Sequence, residues 1–430
     1  MTDFRLARIG MEVLSRPIPL VYAKSLATGV VEAFVHNWSG EVNMDTAYQT
    51  SVSASADNVS EERRAKADRP RRTLDLTWQS MGKTSLDRML VVLRKMADDQ
   101  WSIPLYQDPI FLDAGYTDAP GNKTLTCTYT DRRVFVGGRV CIMVFGGDYQ
   151  PTTVYFKTVE EKADTGLILD ENVGQDLTVR KTIIFPCIDV QYLMDPSLEY
   201  ITDRYARVAL TVDEIYGDSA LPPMQIGVPR GFYAYDDIPI FDPDHDWSVS
   251  RRINYVREGS VSAQGRGEVH DLQGDHARLE TSWRIAGERS TVFDILRFFD
   301  WARGMLRAFW TIDPEAIWAP KALALSYVEV SPQGDSDDFQ LDFDYVGLRM
   351  SDGTKIVRPV SGFNILGDSW RINVSANFPS GLDVSDIQGV ARARKSRFSS
   401  DSISESWRCD DWGIIDLKTI ELLEEKEITE

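Results

Sequence analysis

Residues 242–246 have the side chains of a metal site. The run Asp242-Pro243-Asp244-His245-Asp246 places three carboxylates and one imidazole within five positions. Carboxylate oxygens and imidazole nitrogens are common ligands of divalent cations. The matching segment nearer the N-terminus, Val35-His36-Asn37, lacks the carboxylates. We therefore interpret the run as a structural turn before Trp247, and we expect neither a metal nor a cofactor.

The same two segments also offer a histidine base and a serine nucleophile. His36-Asn37-Trp38-Ser39 recurs as His245-Asp246-Trp247-Ser248. Residues two or three apart on one strand or turn rarely present both groups to one atom, and the sequence specifies no third, orienting group. Hydrolase, metalloprotease and nucleotide-binding motifs are absent from suitable contexts. We therefore expect that the protein is not an enzyme.

The most basic segment, residues 61–72, has six basic and three acidic side chains. A charged loop that leads into a strand is the simplest interpretation. Contact with an acidic neighbouring subunit is the main functional alternative, because the chain has a net charge of −19 and so offers acidic surfaces to its own copies. The candidate subunit-contact residues are Arg63, Arg64, Lys66, Arg69, Arg71 and Arg72.

Two blocks of the sequence recur in the same order. Ser51-Val52-Ser53-Ala54 recurs 209 residues later as Ser260-Val261-Ser262-Ala263, whereas a block that starts at Leu74 recurs 205 residues later from Leu279. The offsets differ by four, which implies a short insertion in the first copy. We therefore predict an internal duplication of two large modules. Its structural anchors are His36, Trp38, Trp78, Gly82, Asp108 and Pro109 in the first copy and His245, Trp247, Trp283, Gly287, Asp313 and Pro314 in the second.

Composition argues against several classes of protein. The 66 acidic residues against 47 basic ones disfavour a nucleic-acid binder, because phosphate contacts need clustered Lys and Arg. The four cysteines form no CxxC pair, so we expect neither a zinc site nor a disulfide framework. The N-terminus lacks a signal pattern and no run of about 18 apolar residues occurs, which predicts synthesis in a cytosol without membrane insertion.

Periodicity predicts a strand, a helix and a second strand in each copy. In the first copy, residues 73–78 alternate as a half-buried strand, and apolar residues follow at helical spacing from Leu86 to Ala97. In the second copy, a helix opens at Thr291. Both helices lead into an aromatic-rich strand, at residues 101–106 and 307–312, that runs into the shared Asp-Pro.

Short β-rich runs between turn dipeptides fill the remaining sequence and are typical of small barrels or sandwiches. The Ser- and Arg-rich stretch 391–400 predicts an exposed loop, and residues 415–419 predict a strand. The predicted fold is therefore mainly β with α+β modules, in which internally duplicated strand-helix-strand modules are joined to small β-barrel or sandwich domains. The predicted divisions are an N-terminal arm (1–25), a first duplicated module (26–115), a β-barrel-like domain (116–220), a second duplicated module (221–325), a C-terminal β domain (326–422) and an acidic tail (423–430).

Several motifs of the first copy resemble structural proteins of tailed-bacteriophage tails. They are Asn37-Trp38, the element Glu61-x-Arg63-Arg64 with Pro70-Arg71-Arg72, and Trp101-x-x-Pro104-Leu105. In the second copy, the strand with Phe309-Trp310 followed by Asp313-Pro314 is similar to the second module of distal-tail and minor tail proteins. The segment from Asp401 to Trp407 that leads into 415–417 resembles their closing β-hairpin.

The resemblance covers about residues 35–110 and 245–315, with weaker similarity at 130–215 and 400–422. The second copy has Gly265-Arg266-Gly267-Glu268 in place of the Arg-rich element. Any contact that this element makes is therefore expected from one copy only.

The resemblance implies a structural component of a phage tail that self-assembles in a ring or a stacked, sheath-like layer around or at the end of the tail tube. Its partners are copies of itself and other tail proteins, without nucleic acid. The expected location is the virion tail, after assembly in the host cytoplasm. The alternative is a receptor- or glycan-binding tail subunit that mediates host adsorption, with a host surface receptor as its partner.

Overall fold

The computed structural model shows a mainly β protein. Of the residues that the structure describes, 61% are in strands and 8% are helical, and the strands form a large antiparallel sheet. This confirms the coarse fold class. Among the residues that the structure describes, no helix has the length and the apolar character needed to span a membrane. The described residues are 21–25, 31–34, 42–54, 61–66, 70–81, 86–87, 90–91, 93–95, 99–128, 134, 136–146, 151–163, 165–192, 197–202, 205–215, 228–229, 231–246, 248–256, 259–264, 267–272, 278–313, 318–331, 343–407 and 412–422.

Fifteen described strands lie before residue 217. They are β1 (Val21–Ser25), β2 (Val31–Phe34), β3 (Val42–Ala47), β4 (Thr50–Ala54), β5 (Glu61–Ala65), β6 (Arg71–Met81), β7 (Trp101–Pro104), β8 (Ile110–Phe111), β9 (Thr124–Thr126), β10 (Arg139–Phe145), β11 (Pro151–Ala163), β12 (Gly166–Leu169), β13 (Thr182–Tyr192), β14 (Ser197–Thr202) and β15 (Tyr205–Glu214). Residues 86–87, 90–91 and 93–95 are helical, with Leu86 and Leu93 buried, as the apolar spacing of this segment predicts.

Fifteen more described strands and one α-helix, α1 (Arg289–Ala302), follow. The strands are β16 (Ala234–Tyr235), β17 (Ile238–Phe241), β18 (Ile253–Val256), β19 (Gly259–Gln264), β20 (Gly267–Leu272), β21 (Arg278–Glu288), β22 (Phe309–Ile312), β23 (Ala319–Ala324), β24 (Tyr327–Ser331), β25 (Tyr345–Met350), β26 (Lys355–Leu366), β27 (Ser369–Val374), β28 (Ile387–Phe398), β29 (Ser402–Trp407) and β30 (Trp412–Glu421). A 3₁₀ helix spans Val384–Asp386.

One run of eight antiparallel strands crosses the molecule. Its order is β14, β15, β6, β3, β29, β30, β21 and β18. The first four strands come from the first half of the chain and the last four from the second, so the pairing of β3 with β29 joins the halves. Alternation along β6 and β21 buries one face of this run and leaves the other polar.

Two large apolar cores lie against the buried face of the sheet. One belongs to the first half and includes Trp101, Phe185 and the helical Leu86 and Leu93. The other surrounds α1 and contains an aromatic cluster in which Phe298 lies 4.8 Å from Phe241 and 5.1 Å from Phe309 between ring centroids. The helix is amphipathic, and its buried residues include Phe293, Leu296, Phe298 and Phe299.

Asp401 forms hydrogen bonds both to the segment just after α1 and to the first half of the chain. Its Oδ1 accepts the Met305 N–H at 3.0 Å, and its carbonyl oxygen accepts the Tyr48 N–H at 2.8 Å. The Thr50 N–H donates to Asp401 Oδ2 at 2.5 Å. Gly304 has φ +62°, and a Cβ there would lie 2.6 Å from Asp401 Oδ1. Only glycine therefore fits this close approach without strain.

The predicted exposed loop at 391–400 is wrong. These residues lie within or just after β28, which pairs with β22, β25 and β30. The arginines mislead a sequence-based prediction because their partners are distant in the chain: Arg394 pairs with Asp313 at 3.7 Å and with Glu421 at 3.2 Å. Charges that are paired across neighbouring strands can occupy the middle of a sheet.

Three smaller predictions also need correction. Residues 61–65 form β5 and pair with β4, so the basic segment is largely a hairpin and not a loop. The short apolar run Val134-Phe135-Val136 predicts a strand, but Val136 lies in a turn. The polar segment that contains His270 and His276 predicts a loop, but His270 lies on β20, which pairs with β19. His276, the other residue expected there, lies outside the described residues.

The aromatic core predicts a large cost for truncating Phe298. Phe298→Ala leaves a cavity among rings that cannot close around it, and we expect the free energy of unfolding to fall by about 3 to 5 kcal/mol. Ile365→Ala is the control, because Ile365 is exposed on β26 and its loss should change stability by less than about 0.5 kcal/mol. Urea denaturation followed by tryptophan fluorescence measures both. Equal stability of the two variants would contradict the packing.

Candidate functional site

A polar cleft lies where the two halves of the chain meet. It has a volume of about 340 Å³ and opens on the polar face of the sheet between β3 and β29. Its charged lining residues are Asp45, Asp75, Arg284 and Asp416. Two of these charges neutralise each other, because Arg284 donates to both oxygens of Asp416, at 2.8 and 2.7 Å.

Hydrogen bonds hold two of the charged side chains of the cleft in place. The Thr211 hydroxyl donates to Asp75 at 2.6 Å, and hydrogen bonding to Asp416 raises the pKa of Arg284. The described residues contain no group of three or more His, Cys, Asp or Glu side chains that could hold a metal ion. The described lining of the cleft thus carries one neutralised ion pair and two further carboxylates, Asp45 and Asp75.

Asp242, the first residue of the acidic run, is the centre of a buried ion cluster. Its carboxylate is 5% exposed and accepts hydrogen bonds from Arg349 at 2.7 and 2.8 Å and from Lys355 at 2.8 Å. Burial raises the pKa of Asp242, but hydrogen bonds and charge from Arg349 and Lys355 outweigh burial, and its pKa lies below the ordinary value. Arg349 also donates to the Ile312 carbonyl at 3.0 Å, so the cluster ties β25 and β26 to β22.

His245 is buried and both of its ring nitrogens are engaged. Nδ1 accepts the Arg284 N–H at 3.1 Å, and Nε2 lies 2.9 Å from the Val249 carbonyl oxygen, which requires the proton on Nε2. Asp246 closes a turn by accepting the Ser248 N–H at 2.9 Å and its hydroxyl at 2.8 Å, which lowers the pKa of Asp246. In this conformation the segment forms a turn against β21. The adjoining Trp247 lies outside the described residues.

The six basic candidate residues fall into two groups. Arg71 forms an ion pair with Asp213, and the buried Arg72 lies 3.4 Å from Glu214, so both hold β6 to β15. Arg63 and Arg64 lie on β5, and Lys66 follows it, with Arg64 and Lys66 exposed. Arg69 lies outside the described residues. The exposed side chains of the hairpin are thus those positioned to meet another molecule.

The duplicated anchors that the structure describes are internal. Trp283 and Asp108 are buried, and Pro109 accepts a hydrogen bond from Arg289 at the start of α1 at 2.9 Å. Asp313 lies 3.7 Å from Arg394. Gly287 faces Thr291, whose nearest side-chain atom would lie 3.3 Å from a Cβ. Outside the described residues are His36, Trp38, Gly82, Trp247 and Pro314, together with the side chain of Trp78.

The described cysteines are unreactive in this fold. Burial raises the pKa of Cys127 to about 12 and raises those of Cys141 and Cys187 well above the ordinary value. A protonated thiol is a poor nucleophile and a poor metal ligand. These three residues therefore contribute to packing.

Two groups of functional residues were missed by sequence reasoning. They are the Asp242 cluster with Arg349 and Lys355, and the Asp401 junction with Tyr48 and Thr50. Their partners lie about a hundred to several hundred residues apart in the chain, as in Arg349 and Asp242 with a separation of 107. Sequence spacing carries no signal for such pairs.

Because the pKa of Asp242 is lowered in the folded chain, we predict that the free energy of unfolding depends on pH in the acid range. A carboxylate whose pKa is lower in the folded chain than in the unfolded one stabilises the fold above the unfolded value of about 3.9, and this stabilisation is lost as the pH falls below it. Asp242→Asn leaves Arg349 and Lys355 uncompensated, so we expect a loss of about 3 kcal/mol at pH 7 and a flatter dependence on pH below 4. Asp368→Asn, at an exposed carboxylate, is the control. Urea midpoints from pH 3 to 8 provide the measurement, and identical acid profiles for both variants would refute the role of the cluster.

No family model matches the chain, and no curated protein matches it. Function must therefore be inferred from the surfaces and from the arrangement of the two halves.

Proposed function

We propose that this protein is a structural component of a bacteriophage tail, which self-assembles in a ring or a stacked layer around or at the end of the tail tube. The observation that carries the proposal is the agreement in strand pairing between the two halves of the chain, which supports an internal duplication. The motifs that resemble tail proteins supply the biological setting.

The pairing agrees residue by residue along the longest strands. Leu76 on β6 pairs with Leu210 on β15, and Trp283 on β21 pairs with Leu417 on β30. Both partners are thus displaced by 207 residues. One antiparallel pair can be aligned on another by an equal displacement even without a common origin, so the evidence for duplication is the recurrence of the same value in other pairs of strands.

The agreement extends to other strands. Ser102 pairs with Asp189, and Phe309 pairs with Ser396, which again displaces both partners by 207 residues. The pairs β14–β15 and β29–β30 keep the same displacement. For β3 and β18 the displacement is 209, since Met44 pairs with Leu74 and Ile253 pairs with Thr281. The value of 209 is also the offset of the His-x-Trp-Ser and Ser-Val-Ser-Ala motifs.

The strand pairing refines the alignment of the two copies. Identical residues align Trp78 with Trp283 at an offset of 205, whereas pairing aligns Leu76 with Trp283 at 207. The two alignments differ by two residues, so alternation keeps all these side chains on the corresponding face of the sheet. The insertion in the first copy is therefore smaller in the structural alignment than in the alignment by identity.

A duplicated subunit has a direct use in a ring. A ring of several such subunits presents twice as many quasi-equivalent modules, so it can match a neighbouring ring of different symmetry. The described residues present no catalytic constellation, and their acidic and basic surfaces are suited to setting register between subunits. Assembly is thus the function that the chain supports best.

Receptor or glycan binding is the second candidate. Trp412 is 46% exposed and could stack on a sugar ring. Against this role, the other described tryptophan side chains are buried: Trp101, Trp283, Trp301, Trp310, Trp318, Trp370 and Trp407. Inhibition of phage adsorption by the purified protein would favour this candidate over a purely structural part.

The proposal predicts oligomers of the purified protein. Mass photometry and negative-stain microscopy over a concentration range should show rings or stacks at multiples of 48.6 kDa. The number of subunits in the closed species gives the symmetry. A monomer at every concentration would contradict self-assembly and shift the weight to receptor binding.

The exposed hairpin predicts a charge-dependent contact. Arg64→Glu with Lys66→Glu replaces attraction to an acidic neighbour by repulsion, and we expect at least a fivefold higher concentration for half-assembly with unchanged folding. Arg180→Glu, at another exposed arginine, is the control and should leave assembly unchanged. Light scattering against concentration measures assembly, and circular dichroism measures folding. Assembly of the double variant at the wild-type concentration would rule out the hairpin as a contact.

A further inference from the structure

We propose that neighbouring copies of this chain join edge to edge, with β14 of one copy paired to β18 of the next in an antiparallel sheet. The inference rests on the proposed duplication and self-assembly and assigns the surface through which copies meet. The partner is a second copy of this chain.

The two strands are the ends of the eight-strand run. Within the described part of the chain, β14 pairs only with β15, and β18 pairs only with β21. Each therefore has one edge without a strand partner among these residues. Open edges of this kind are sites at which another strand is added.

The chain already contains the proposed joint once. Between the halves, β29 pairs with β3, with Ser404 opposite Asp45 and Ser406 opposite Asn43. The alignment of the halves places β29 on β14 by 207 residues and β3 on β18 by 209. The joint inside the chain therefore has an equivalent between chains, formed by β14 and β18.

Side-chain exposure differs between β29 and β3, which pair inside the chain, and their counterparts β14 and β18, whose outer edges are open. Trp407 on β29 is 0% exposed, whereas its counterpart Tyr200 on β14 is 57% exposed. Thr46 on β3 is 0% exposed, whereas its counterpart Tyr255 on β18 is 78% exposed. Trp407 is also covered by Phe293 of α1, so the observation that bears on the proposal is that Tyr200 and Tyr255, at the two open edges, are exposed aromatic side chains.

The transferred register also brings opposite charges together. Ser406 opposite Asn43 becomes Glu199 opposite Arg252, and Ser404 opposite Asp45 becomes Ser197 opposite Asn254. Glu199 and Arg252 are both exposed in the single chain. Oppositely charged residues directly across antiparallel strands stabilise the pair, so this register is favoured for the contact between copies.

The geometry produces a head-to-tail assembly. The two surfaces are different strands at opposite ends of one run, so each copy offers β14 to one neighbour and β18 to the other. Such a heterologous contact closes into a ring or continues as a filament. The sheet would then be continuous through every subunit, with the contact inside a chain alternating with the contact between chains.

Cysteine cross-linking tests the register directly. A tagged Ser197→Cys protein is mixed with an untagged Asn254→Cys protein under mild oxidation, both with Cys409→Ser because Cys409 lies outside the described residues. Residues directly opposite in a sheet lie within disulfide range, so a covalent heterodimer is expected. Ser197→Cys mixed with Tyr255→Cys is the out-of-register control, since these side chains point to opposite faces. Ser404→Cys with Asp45→Cys in one chain is the positive control and should cross-link internally.

A charge swap tests the same contact without disulfides. Arg252→Glu and Glu199→Arg should each raise the concentration for half-assembly about fivefold, because each places like charges opposite one another. The double variant should restore assembly. Failure of the double variant to restore assembly would contradict a direct contact between Glu199 and Arg252.

The possible outcomes separate this inference from the proposed function. In-register cross-linking with charge-swap rescue supports it. Oligomers that form without the cross-link overturn the pairing of β14 with β18 but leave a self-assembling tail component in place. Monomers without the cross-link overturn the pairing and also the self-assembly on which the proposed function depends.

Discussion

The backbone pairing of β3 with β29 is the interaction on which the rest of the architecture depends. Each strand would otherwise present a row of unpaired N–H and C=O groups in the middle of the molecule. Their pairing converts two four-strand units into one run of eight. The cleft, the Asp401 junction and the packing of Tyr48 against the core around α1 all lie beside it. The two halves therefore behave as one sheet at this point.

Ion pairs between distant residues hold the strands in register around this joint. Arg284 and Asp416 connect β21 to β30 on the polar face. Asp242, which follows β17, is connected to β25 by Arg349 and to β26 by Lys355. A buried carboxylate is costly unless positive charge and hydrogen bonds surround it. Removing one member of such a cluster leaves the opposite charge buried without compensation.

Within the described part of the chain, the groups with reactive side chains are engaged in internal contacts. Both nitrogens of His245 are engaged, burial raises the pKa of the described cysteines, and Arg284 and Asp416 neutralise each other in the cleft. What remains for an outside partner is a basic hairpin and the two exposed ends of the sheet. Under the proposed duplication, the exposed edges of β14 and β18 correspond to β29 and β3, which pair inside the chain. The same strand contact can therefore form between chains.

The sequence alone determined the class of fold and much of its local structure. Alternation predicted β6 and β30, and helical spacing predicted α1, because these patterns depend on neighbours close in the chain. Only the tertiary structure decided that the Arg-rich residues 391–400 lie largely in a strand. The same holds for the hydrogen bond from the Arg284 N–H on β21 to His245 and for the pairing of β3 with β29. Each of these depends on a partner about forty to more than three hundred residues away, and the identity of such a partner is set by strand order and register, which no local pattern encodes.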